Sequence, residues 1–150
     1  MTEQTIATLP GGAGSYVLVM YLSDPRRVRI GALGWHDLGR GYYLYVGSAL
    51  GGLRARLARY LRGSAHQHWH IDYFLPTSRL DAIWYLEHKR HLECQWAARL
   101  GAIPEVELAL ADFGSSDCHC PAHLFTCVRC PQPGWLREPS LQTLQFHPQP

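Results

Sequence analysis

Apolar positions along this chain repeat with two periods, and the switch between them marks out the elements. The run from Ser15 to Leu22 is rich in β-branched and aromatic residues and stops at Ser23, Asp24 and Pro25, which predicts a strand ending in a turn. Arg27 to Leu33 reads as its hairpin partner, Gly34 to Gly41 as a polar, glycine-bounded loop, and Tyr42 to Val46 as a third strand ended by Gly47. Alternate strand residues share a face, so Tyr43 and Tyr45 point the same way. After Gly51 and Gly52 the period lengthens. Leu50, Leu53, Leu57 and Leu61 form one stripe of a helix of about 12 residues. Arg56 and Tyr60, four apart, share an edge of that helix beside the stripe, while Arg59 and Arg62 face solvent.

Further along, His66 to Leu75 predicts a short helix stopped by Pro76, and Leu80 to Leu86 a fourth strand. His91 to Leu100 predicts a helix ended by Gly101. A short extended piece, a turn from Gly114 to Cys118 and a last strand near His123 to Val128 follow. The ends read differently. Residues 1–13 are small and polar, a flexible lead-in, and residues 131–150 are a proline-rich tail that is poorly ordered or lies along the surface. The domain that remains, 14–130, carries the function.

At 150 residues and 47% hydrophobic content the chain holds enough apolar material for one core. No run approaches the ~20 apolar residues of a membrane span, and the first ten residues lack a secretion signal, so the expected location is cytoplasmic, without a membrane partner. A net charge of +2 is too mild to imply nucleic acid unless the charge is clustered. It is clustered: Arg54, Arg56, Arg59 and Arg62 crowd one helix, and the arginine fork suits phosphate oxygens. Five cysteines without an export signal point to free thiols or a metal site rather than disulfides. Cys118, Cys120, His123, Cys127 and Cys130 have spacings that could build a structural Zn²⁺ site.

The tripeptides Gly14-Ser15-Tyr16 and Tyr45-Val46-Gly47, with Arg56, Tyr60 and Glu93 following in order, resemble the GIY-YIG nuclease superfamily. The likeness is closer to a short single-domain branch, also found fused to DNA-repair glycosylases. It runs from about Gly14 to Phe125. The segments Gly41 to Gly52, Trp69 to Tyr73 and Gly114 to Phe125 look like that branch's own signatures. The resemblance implies an α+β fold, a small antiparallel sheet of about three strands flanked by helices with the site on one sheet face. It also implies a metal-dependent endonuclease that hydrolyses DNA phosphodiester bonds in repair or structure processing. Two features depart from the pattern: the interval from Tyr16 to Tyr45 is long, and the asparagine usual after the metal-binding glutamate has no clear counterpart, with Ser116 or Asp117 near its place.

Roles follow from the chemistry of phosphate hydrolysis. Glu93 would hold Mg²⁺ or Mn²⁺, with Glu87 as the runner-up ligand. Arg56 would grip the scissile phosphate, and Tyr60 would bond to phosphate or water from the same helix edge. Tyr16 or Tyr45 would orient the attacking water or relay its proton, and the sequence leaves open which. Gly47 lets phosphate approach the backbone, with Ser48, Arg54 and Arg59 as further substrate contacts, and His70 is an acid or phosphate contact. Two other readings use the same residues: a non-catalytic nucleic-acid-binding module, and a zinc-stabilised interaction module whose tail recruits a partner.

Overall fold

Strand β1 (Gly14–Leu22) is buried on both faces and both edges, and the rest of the molecule is arranged around it. It pairs antiparallel with β4 (Gly41–Ala49) on one side and β5 (Arg79–Glu87) on the other. The computed structural model describes residues 2–63, 66–114 and 122–147. Within them lies an antiparallel six-stranded sheet, in which β7 (Leu124–Cys127) and then β6 (Glu107–Leu108) extend the β4 side and β8 (Gln142–Gln145) extends the β5 side. The sheet therefore has six strands rather than about three. Of the three short outer strands, β7 is the last strand expected near His123 to Val128, whereas β6 and the mostly exposed β8 have two and four residues, so backbone pairing rather than an apolar alternation creates those two.

Alternation in β1 splits the core in two. Tyr16, Leu18, Met20 and Leu22 face one side with Tyr43 and Tyr45 of β4, so those two tyrosines do share a face. Helices α2 (Leu53–Arg62) and α3 (His70–Phe74) cover this side through Leu53, Leu57, Ile71 and Phe74. Val17 and Val19 face the other side, covered by Trp96 and Leu100 of α4 (Glu93–Gly101). Leu50 is 57% exposed and lies outside the expected leucine stripe.

Because both edges of β1 are occupied, Arg27 to Leu33 cannot be its hairpin partner. Instead β2 (Arg26–Arg29) pairs with β3 (Trp35–Leu38), a strand where a polar loop is expected, in a separate two-stranded ribbon. Val28, Ile30 and Leu38 anchor this ribbon to the first core.

The lead-in is structured. It forms helix α1 (Thr2–Ala7), and Ile6 and Leu9 are buried. The N-terminal amides of a helix have no partner within it. Those of Leu53 and Arg54 in α2 donate to the carbonyls of Gly12 and Pro10 at 2.9 and 3.0 Å, so the lead-in caps α2 where Gly52 has no side chain to do so. The proline-rich tail also has fixed places: Leu136 is buried under the second core, Arg99 donates to its carbonyl at 2.7 Å, and β8 lies along the sheet edge. Among the described residues no helix is long and apolar enough to cross a membrane.

Candidate functional site

One end of the β1–β4 pair opens into a cleft of about 400 Å³. The register sets Tyr16 of β1 directly opposite Gly47 of β4. The Tyr16 phenol lies across the Gly47 backbone: a Cβ there would stand 2.4 Å from Oη and 2.5 Å from Cζ. Glycine at 47 is thus what lets a fully buried phenol reach the cleft. Gly114 serves Tyr45 similarly, with φ +72° and a Cβ position 2.9 Å from the tyrosine ring.

From α2, Tyr60 and Tyr16 share a hydrogen bond of 2.6 Å between hydroxyls. Arg56, one helical turn earlier, donates from Nη1 to Tyr16 Oη at 3.3 Å and to the Ser48 carbonyl at 3.0 Å. Its guanidinium stacks over Trp69, 4.3 Å from the ring centroid. Trp69 is fixed in turn by Asp72, whose Oδ2 accepts from the amides of His68 and Trp69, both at 2.8 Å, and pairs with Arg59 at 2.6 Å. Burial raises the pKa of Tyr16, against the pull of Arg56, and pushes Tyr45 and Tyr60 well above the ordinary phenol range. All three are neutral hydrogen-bonding groups at physiological pH. None is poised as a resting base.

Across the cleft, Glu93 opens α4 with its carboxylate partly exposed. His123, 1% exposed, brings Nδ1 to 3.7 Å from Glu93 Oε2. Burial lowers the His123 pKa against the pull of that carboxylate, which favours the neutral imidazole. His70 Nδ1 accepts the Gly114 amide at 2.8 Å, and burial lowers its pKa too. The neutral ring therefore carries its proton on Nε2 and is a donor, not a base. A single open carboxylate with an imidazole beside it fits a hard divalent ion that keeps most of its own water. It does not fit a closed protein cage.

Of the residues singled out from sequence, Tyr16, Tyr45, Gly47, Ser48, Arg56, His70 and Glu93 line the cleft, and Tyr60 supports it from behind. Others are placed elsewhere. Arg54 donates to the Leu9 carbonyl at 2.9 Å and clamps the lead-in, and Arg59 is committed to Asp72 and Trp69. Glu87, at the end of β5, accepts the Gly12 amide at 2.9 Å and does not line the cleft. His123 lines the cleft, whereas Cys127 is buried in the second core, its thiol bonded to the Arg129 carbonyl, and the Cys130 thiol turns to the Pro131 carbonyl. Among the described residues no three metal-ligating side chains gather. Cys118, Cys120, Ser116 and Asp117 lie outside the described residues. The cleft also contains Trp69, His68 and His91, to which the sequence assigned no role; Trp69 stands out there only as the first residue of the Trp69 to Tyr73 signature segment.

No curated protein and no solved structure matches the chain. A family match covers residues 15–139, from β1 through the segment that precedes β8. The chain belongs to the family described as domain of unknown function DUF123.

Proposed function

We propose that the cleft hydrolyses DNA phosphodiester bonds with a divalent metal ion, as a GIY-YIG-type endonuclease acting in repair or in processing branched or damaged structures. The observation that carries this reading is convergence: Tyr16 from β1, Arg56 from α2 and Glu93 from α4 line one cleft although they are far apart in sequence. A guanidinium and a carboxylate facing the same space suit an anionic substrate and a cation together.

Arg56 is held in one orientation by two Nη1 bonds, the Tyr60 hydroxyl and the Trp69 ring, so its guanidinium is fixed at the cleft wall where it can meet phosphate oxygens. Fixing the guanidinium in advance removes the cost of ordering it as charge builds on the phosphorus oxygens. Tyr16, coupled to Tyr60 and Arg56, orients water or phosphate through its hydroxyl. The Nε2–H of His70 is a further donor toward the anion. Glu93, with His123 beside it, would hold Mg²⁺ or Mn²⁺, which supplies charge neutralisation and acidifies water.

The test is chelator-stripped protein incubated with labelled single-stranded, duplex, flapped and branched DNA, with and without Mg²⁺ or Mn²⁺, beside Arg56→Ala. Metal-dependent cutting that the variant loses is the expected result. Salt-dependent binding without turnover in either metal would replace the nuclease by a non-catalytic binding module.

A further inference from the structure

The α2 arginine run reads as one basic face, yet each member is already engaged. Arg54 holds the lead-in, Arg56 the cleft, Arg59 pairs with Asp72 and Arg62 with Glu3. The basic surface lies instead on the β2–β3 ribbon. Residues 26–40 contain four arginines and one aspartate, a net charge of +3 where the whole chain carries +2. Cross-strand register puts Arg27 opposite Asp37 and Arg29 opposite Trp35, and alternation sets these four on the face turned away from buried Val28 and Leu38.

That face combines charge with an aromatic platform. Trp35 is 57% exposed, and the Arg27 guanidinium lies 6.0 Å from its ring centroid. The Arg27–Asp37 pair is loose, at 3.8 Å, with both side chains mostly in water, so it is easily exchanged. Neither Arg26 nor Arg29 pairs with a carboxylate among the described residues. Arg29 stacks on Tyr73, 5.2 Å from its centroid, and Tyr73 sits one turn from His70 on α3. The ribbon thus abuts the helix that brings His70 to the cleft.

We propose that the β2–β3 ribbon is a nucleic-acid arm that stacks an unpaired base on Trp35 and holds the adjoining phosphates with Arg27 and Arg29. An exposed indole flanked by guanidinium groups matches how single strands are gripped, where every base offers a π face and the backbone is tracked by positive charge. The ribbon leaves β1 at Leu22, at the other end of the strand from Tyr16, but its Arg29–Trp35 end lies against Tyr73, one turn of α3 from His70 of the cleft. Its substrate is therefore DNA with a single-stranded stretch adjoining the bond in the cleft. This rests on the nucleic-acid reading of the cleft.

The experiment measures binding in chelator, so that nothing is cut, to a blunt duplex and to the same duplex with a single-stranded tail. Wild type should prefer the tailed DNA. Trp35→Ala should weaken tailed-DNA binding by roughly five-fold or more, the range of one lost base stack, and Trp35→Phe should recover most of it. Replacing Arg27 and Arg29 by alanine should reduce the salt slope on a single strand by about 1.4. Unfolding midpoints of the variants check that the ribbon still folds. Tailed-DNA affinity equal in Trp35→Ala and wild type overturns the arm while leaving the cleft assignment standing, as does an equal loss on the blunt duplex. If wild type binds neither DNA, the arm and the function proposed for the cleft both fall.

Discussion

Gly47→Ala isolates the packing that brings Tyr16 to the cleft. The added Cβ would stand 2.4 Å from the Tyr16 oxygen, where ordinary contact begins at 3.4 Å, so the phenol must retreat by about 1 Å. Its ring is fully buried and has no slack. Overpacking of this kind costs ~1–3 kcal/mol. The same shift stretches the bonds to Tyr60 and Arg56 beyond hydrogen-bond range, for a further ~0.5–1.5 kcal/mol each. The sum is about 2–6 kcal/mol, or roughly 4–24 °C in unfolding midpoint for a chain of this size. No left-handed backbone is involved at Gly47, so sterics alone are tested. Gly39→Ala is the control, since nothing lies within 4 Å of its Cβ position and its backbone is also not left-handed. There the change should be neutral or stabilising by up to ~1 kcal/mol. Thermal and urea unfolding of both variants decide the matter, and equal midpoints would refute the packing argument.

Leu9→Ala should cost ~2–5 kcal/mol in urea unfolding because Leu9 is 1% exposed in the first core; a change below ~0.5 kcal/mol would show that the lead-in does not pack there. Stability should also fall on acidification: His70 binds a proton at about pH 6.5 when unfolded but only at lower pH when folded, since burial lowers its pKa and Nδ1 already accepts the Gly114 amide. Its contribution is whole above that pH and is lost as the pH drops toward the folded value. His70→Asn, which keeps an acceptor and cannot titrate, should flatten the slope of the unfolding midpoint against pH, and an unchanged slope would count against the assignment.

Local pattern made the central strands and α2 legible. β1, β4 and β5 are long and strongly apolar, and the four-residue spacing of Arg56 and Tyr60 does put both at Tyr16. What stayed hidden depends on pairing between distant segments. The ribbon was misread because an arginine-rich run after a turn looks like a hairpin partner, and only the occupied second edge of β1 forbids it. Four arginines on one helix look like a single binding face, but their partners, from Glu3 to Asp72, come from elsewhere in the chain. Spacing groups His123 with the cysteines on both sides of it in sequence, yet the strand that begins at Leu124 carries it to Glu93 while Cys127 turns into the opposite core.

The most direct test of the nuclease proposal compares the cutting rates of wild type and Glu93→Ala on labelled DNA in Mg²⁺ and in Mn²⁺, with DNA affinity measured alongside. The expectation is metal-dependent cleavage by wild type, abolished in Glu93→Ala while DNA affinity and folding are retained. Cleavage by Glu93→Ala at the wild-type rate would contradict the metal site, and no cleavage by wild type in either metal would contradict the nuclease.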